Sequence, residues 1–407
     1  MVLGRPGAGC STFLKALSNR HEEYHGISGM LHFSSFTSKQ IRKHFRGDVI
    51  YCPEDDIHFP TLTVEQTLRF AARTRMPNKK VRVGEVSGKQ YADDIVDTLS
   101  TIFGLRHAKK TRVGNAAVRG VSGGERKRVS IAEALATRAR LGAWDNSTRG
   151  LDSSTALEFV RALRIATDST GLTTIVSIYQ ASELLYELFD KVCVIYDGRM
   201  AYFGPADQAR QYFIDQGWEP ANRQTTADFL VAATDPGGRT PRQGYESRVP
   251  RTAEEMTAAF LRHPLAKENR REIAEFLAQN VVMDLGSKEY DHLTGKLPQV
   301  PSVPREEKEL KQKSYIESAH AERGKHARPE SPYNITILSQ IREVMVRRVQ
   351  ILQGDWLTQV ITVFSYIFQA IIMGTLFLDF PNATSAYFSR GGVLFLYVFT
   401  SPIYSIR

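Results

Sequence analysis

The sequence predicts an α/β domain followed by the start of an all-α membrane domain, and three observations carry that prediction. Over residues 1 to about 215, short apolar runs alternate with helically patterned stretches, as in a sheet covered by helices. Residues 236–333 are rich in charge, glycine and proline, which marks a connection between two structured parts. Residues 356–378 include no charged side chain, and that length matches the roughly 20 residues needed to cross a bilayer core.

In the α/β part, placed at 1–235, the runs 48–51, 173–178 and 192–196 read as strands, and 63–75 and 154–167 as helices. From 235 to about 251, glycine, proline, arginine and threonine read as a loop. A charged helical pattern follows over 252–279, and 284–332 reads as a second loop-rich stretch, partly disordered. Together these make 236–333 a charged linker with one or two helices. Beyond it, Leu338, Ile341, Met345, Val349 and Leu352 recur at helical spacing opposite Arg342, Glu343 and Arg347, so 334–354 reads as an amphipathic connecting helix.

The membrane part, 355–407, holds a first span at about 356–378 and an incomplete second one from about 391. Arg342, Arg347 and Arg348 precede the first span and Asp379 follows it, so the positive-inside rule places residues 1 to about 354 in the cytosol. A glycosylation sequon at Asn382 then falls outside, whereas those at Asn146 and Asn334 fall inside.

At 407 residues and 42% hydrophobic content, the chain has room for two or three domains with real cores. A net charge of +9 suits either a nucleic-acid surface or a cytoplasmic lipid-facing one. Cys10, Cys52 and Cys193 are too sparse for a disulfide framework and are not spaced for zinc, which fits a reducing compartment. Met1 leads into the sequence without a basic lead or a long apolar stretch, so no signal peptide is read.

Chemistry enters at Gly4, Gly7, Gly9, Cys10, Ser11 and Thr12. Their spacing is that of a loop whose backbone N–H groups cradle phosphates at a helix N-terminus. Cys10 stands where that spacing calls for lysine, so the cation that neutralises the β- and γ-phosphates is missing. A plain strand-to-helix turn would read the same, and the loop gains weight from two later blocks. Ser122, Gly123, Gly124 and Glu125 open a helical run, and Trp144, Asp145 and Asn146 lead to Gly150, Leu151 and Asp152.

The first block resembles the signature motif of ATP-binding cassette proteins, and the second their Walker B motif and D-loop. Glu54 falls where that family's Q-loop glutamine stands, and Tyr179 where its switch histidine stands. The resemblance implies a phosphate-loop NTPase fold with ATP and Mg2+ as cofactors, the metal held by Ser11 and Asp145. It also implies weak or absent hydrolysis at the site built on this loop, because Cys10, Asn146 and Tyr179 replace a lysine, an acid and a histidine.

The same replacements beside an intact signature resemble the N-terminal cassette of the fungal pleiotropic drug resistance transporters, in the G subfamily, over essentially the whole chain. That resemblance implies ATP-driven export of hydrophobic compounds at the plasma membrane. It further implies that Ser122, Gly123, Gly124 and Glu125 act in trans on a second cassette, in the same full-length chain or a partner half. The expected partners are that cassette, a lipid bilayer and a hydrophobic small-molecule cargo, with no nucleic acid. Because a strand and an adenine-stacking aromatic normally lie upstream of the loop, and a membrane helix normally continues past residue 407, both ends read as truncated.

Three other readings compete. A soluble cassette protein acting on DNA or ribosomes would explain the basic charge, but not the uncharged run 356–378. A phosphate-loop kinase or GTPase has no place for Ser122–Gly123–Gly124–Glu125. A non-transporting fragment or regulatory nucleotide-binding protein would suit the altered site, and the attached membrane segment weighs against it.

Overall fold

Val, Ile, Cys and aromatic side chains crowd the runs that pair into sheet, where a pleated, half-buried surface favours them. In the computed structural model, which describes residues 1–22, 24–282, 287–295, 300–324, 327, 331–376 and 391, ten strands form. They are β1 (Val2–Gly4), β2 (His32–Phe33), β3 (Phe36–Thr37), β4 (Val49–Cys52) and β5 (Leu141–Trp144), then β6 (Thr173–Val176), β7 (Lys191–Tyr196), β8 (Arg199–Pro205), β9 (Trp218–Glu219) and β10 (Thr240–Pro241). β4, β5 and β6 pair in parallel, with Val49 opposite Leu141 and Leu141 opposite Thr173. β1 runs parallel to β7, and β8 antiparallel to β7.

A parallel bridge between Val2 and Ser177 joins these two ladders, giving the order β4–β5–β6–β1–β7–β8. Because the first five of these strands are parallel, the residues that follow β1, β4, β5 and β6 all emerge at one end of the sheet. That is where ligands enter open α/β sheets.

Helices cover the sheet. The expected helix 63–75 forms as Val64–Thr74, started by a capping box between Thr63 and Gln66. The expected helix 154–167 forms as Ser153–Thr170, capped by Asp152. Leu68, Ile131, Trp144, Phe159, Val176 and Val194 meet in one buried core.

Four features depart from the sequence reading. A strand, β1, does lead into the glycine loop; at three residues it is too short to show a periodicity. The loop read over 235–251 includes β10, with Pro241 opposite Trp218 of β9. The single helical stretch read over 252–279 is two helices, Ala253–Arg262 and Pro264–Asn280. Proline lacks the N–H needed to continue a helix and pushes its predecessor to extended backbone, as seen at His263 with ψ 147°. The loop-rich stretch over 284–332 contains helices Ser287–Thr294 and Arg305–Glu322.

The second of these is anchored. Tyr315 packs 5.0 Å from Phe36 and 5.3 Å from Phe45, and its hydroxyl donates to Asp48 Oδ2 at 2.6 Å. The main core also runs past residue 235, for it includes Met256 and Phe260, the latter ring 5.6 Å from that of Tyr202.

Backbone contacts divide the chain into two units, 1–347 and 348–407. The amphipathic helix forms as Ile337–Gly354. Its first part is held within the larger unit by Arg73, which pairs with Glu343 at 3.2 Å, and by Arg347, whose guanidinium lies 3.9 Å from the ring centre of Phe70. In the smaller unit, helix Trp356–Leu376 leaves Val360, Phe364, Ile367 and Ile371 exposed. Among the described residues no single helix is long and apolar enough to cross a membrane; Ile337–Gly354 and Trp356–Ile372 reach that length and composition only as a pair, bent by 76° at the break between them. The run beyond Gly391 and the sequon at Asn382 lie outside the described residues.

Candidate nucleotide-binding site

β1 ends at Gly4, where an added Cβ would lie 2.8 Å from both Cys10 Sγ and the Ile195 carbonyl, so no larger residue fits. The chain then turns through Gly7 and Gly9, at φ +84° and +105°, conformations that glycine adopts without steric cost. The turn is closed by Ala8 N–H donating to Arg5 O and pinned by Gly198 N–H donating to Ala8 O, both at 2.9 Å. Gly9 is the N-cap of helix Cys10–Leu17, and no side chain caps it. The first-turn amides are thereby left to an outside acceptor such as a phosphate oxygen.

Cys10 is buried with Val2, Leu14, Ala143 and Ile195. Burial, and secondarily the charge of Asp145, push its thiol up to about 11. It is a neutral plug beneath the loop. Ser11 is half-buried and Thr12 exposed.

β5 delivers Asp145, 3% exposed, to the same end of the sheet. Tyr51 donates to its Oδ2 at 2.6 Å and Ser177 to its Oδ1 at 2.7 Å. Asn146 follows at φ +42°, its N–H donating to Ser177 Oγ at 2.9 Å and its side-chain amide to Glu54 Oε1 at 3.0 Å. The Arg149 guanidinium donates to the same Glu54 oxygen.

Tyr179 is half-buried here. Burial first, then the negative carboxylates of Glu54 and Asp145, raise its pKa and keep the phenol neutral. Cys10, Glu54, Asp145, Asn146 and Tyr179, scattered along the sequence, thus meet. Backbone amides and hard oxygen donors such as those of Ser11 and Asp145 suit a magnesium polyphosphate in kind.

Ser122, Gly123, Gly124 and Glu125 lie elsewhere, at the start of helix Gly123–Ala136. Ser122 Oγ accepts from Glu125 N–H at 3.2 Å, and Glu125 Oε2 accepts from Ser122 N–H at 2.8 Å, a complete capping box. His107 also bonds Glu125, at 2.7 Å. Ser122 and Gly123 are exposed, and a Cβ on Gly123 would meet nothing within 4 Å. Among the described residues no hydrogen bond links these four to the glycine loop.

The sequence reading missed what ties this helix to the loop after β4. Lys127, 3% exposed, donates to Glu54 O at 2.5 Å and pairs with Asp56 at 3.2 Å. Ser130 donates to Asp56 Oδ1 at 2.6 Å and bonds His58 at 2.7 Å, and His58 faces Glu133 at 3.2 Å. A lysine four residues before the apolar Ile131, on the same helical face, was the available signal.

With this geometry in view, residues 1–149 match the family model described as ABC transporter. The ABC multidrug transporter SNQ2 of Candida glabrata is 45% identical over 397 residues, 97% of this chain and 24% of that protein. The chain belongs to the ABC transporter family. Two further relatives are the brefeldin A resistance protein of Schizosaccharomyces pombe, 40% identical over 100% of this chain and 26% of that one, and the ABC multidrug transporter MDR1 of Trichophyton interdigitale, 43% identical over 100% and 24%. The resemblance to the fungal pleiotropic drug resistance transporters is borne out by these relatives. The chain spans about a quarter of the length of the curated relatives it matches. A bacterial ABC transporter cassette, solved as a dimer, matches at TM-score 0.40 and 19% identity, over 50% of this chain and 84% of that one. The α/β part of this chain is a phosphate-loop NTPase cassette, and residues Ile337–Gly354 and Trp356–Leu376 are helical.

Proposed function

We propose that this chain is the ATP-binding half of an ATP-driven efflux transporter for hydrophobic compounds. Its own ATP site is non-catalytic, and its signature motif completes the site of a partner cassette. One observation carries the reading: beside buried Asp145, the place of the water-activating acid is held by Asn146, a neutral amide that cannot take a proton from water. The carboxylate beside that amide, Glu54, is occupied by it and by Arg149.

ATP binds through the amides of the Gly4–Thr12 loop, with Mg2+ on Ser11 and Asp145, and hydrolysis there is negligible. Support for the trans role comes from the signature helix, whose Ser122–Gly123 start is braced by Glu125 and open to solvent. The charge-free run 356–378 of the sequence supports a membrane span, with residues 1 to about 354 on the cytosolic side of the plasma membrane.

The test is Mg2+-dependent ATP hydrolysis by the purified chain. Turnover at background, unchanged by Cys10→Lys, is expected. Clear magnesium-dependent turnover by the unaltered chain overturns the reading of Asn146.

A further inference from the structure

ATP brings several negative charges into a site that already holds Asp145 and Glu54. The loop residue that would offset them, Cys10, is buried and uncharged. The loop's own arginine, Arg5, points to Asp235 at 3.5 Å. A different cation has its counter-ion inside the site. Arg149 sits in the turn closed by its N–H donating to Asn146 O at 3.0 Å, and its guanidinium is on Glu54 Oε1. Its side chain is 71% exposed, against 28% for Glu54.

An ion pair that open is weakened by the water around it, so a polyphosphate can displace the carboxylate at little cost. Arginine also matches phosphate oxygens with a planar fork of donors.

We propose that Arg149 is the phosphate-neutralising cation of this site, in place of a lysine at Cys10, and that Glu54 holds it in reserve until nucleotide phosphates displace the carboxylate. The swap also explains Glu54 in a position the family gives to a neutral glutamine: its charge keeps the arginine beside the site.

The proposal rests on the reading that this site binds ATP, and one titration separates the two. Equilibrium binding of fluorescent ATP and AMP analogues to the full chain is compared with Arg149→Gln and Glu54→Gln. Arg149→Gln is expected to weaken the ATP analogue about 10-fold or more and the AMP analogue by less than about twofold, because the arginine acts on the β- and γ-phosphates. Glu54→Gln is expected to tighten the ATP analogue about threefold.

An unchanged ATP affinity in Arg149→Gln, or an equal loss for AMP, overturns the proposal alone. No saturable ATP binding by the unaltered chain overturns the reading and the proposal together. Since Arg149 is largely exposed, its variant keeps the parent melting temperature, which a circular dichroism melt checks.

Discussion

Ser177 carries two bonds at once, donating to Asp145 Oδ1 and accepting from Asn146 N–H, in a place 3% exposed. Replacing it by alanine leaves a buried carboxylate oxygen and a buried amide short of a partner. Ser177→Ala is therefore expected to destabilise the fold by about 2 kcal/mol or more, read from urea unfolding. A loss below about 0.5 kcal/mol would mean that water replaces the hydroxyl.

The residues of the site divide into those a sequence discloses and those it hides. Glycine spacing, Ser122–Glu125 and Trp144–Asn146 are local patterns, each set by the backbone that carries it. Tyr51 and Ser177 lie 94 and 32 residues from Asp145, and only the lateral order of the strands brings them together. No local pattern encodes that order.

Elements were legible where a period had room to repeat. Helices Val64–Thr74 and Ser153–Thr170 and strands β4, β6 and β7 matched apolar spacing, and the structure adds their caps, Thr63 and Asp152. β1 and β10 were too short to show one. Helix Arg305–Glu322 was masked by its charge. Its docking stripe is only Tyr315, Ile316 and Ala319, against a cluster of Phe36, Ile41 and Phe45.

That stripe makes a prediction at its own scale. Tyr315→Ala removes the ring contacts with Phe36 and Phe45, the stacking of Arg140 at 4.7 Å and the bond to Asp48. It is expected to cost about 3 kcal/mol locally and to speed proteolysis of the 300–324 segment while residues 49–282 stay resistant. Unaltered cleavage would show that the helix is held by other contacts.

At the scale of the whole molecule, the function proposed above has the chain offer half of each of two sites. The loop, Asp145 and Asn146 form one half, at the C-terminal ends of parallel strands and without a water-activating acid. The signature helix forms the other, its N-terminus open and its body locked by Lys127 to the loop that carries Glu54. An intact signature beside an altered nucleotide pocket makes sense if the two serve different ATP molecules.

The direct measurement is ATP turnover by the full-length transporter containing this chain, with Ser122→Arg compared with Cys10→Lys. The N-cap lost in Ser122→Arg costs only about 1 kcal/mol of stability, so folding survives. Loss of about 100-fold or more of turnover in Ser122→Arg, with Cys10→Lys within about twofold of the parent, is the outcome predicted. Undiminished turnover in Ser122→Arg would contradict the account.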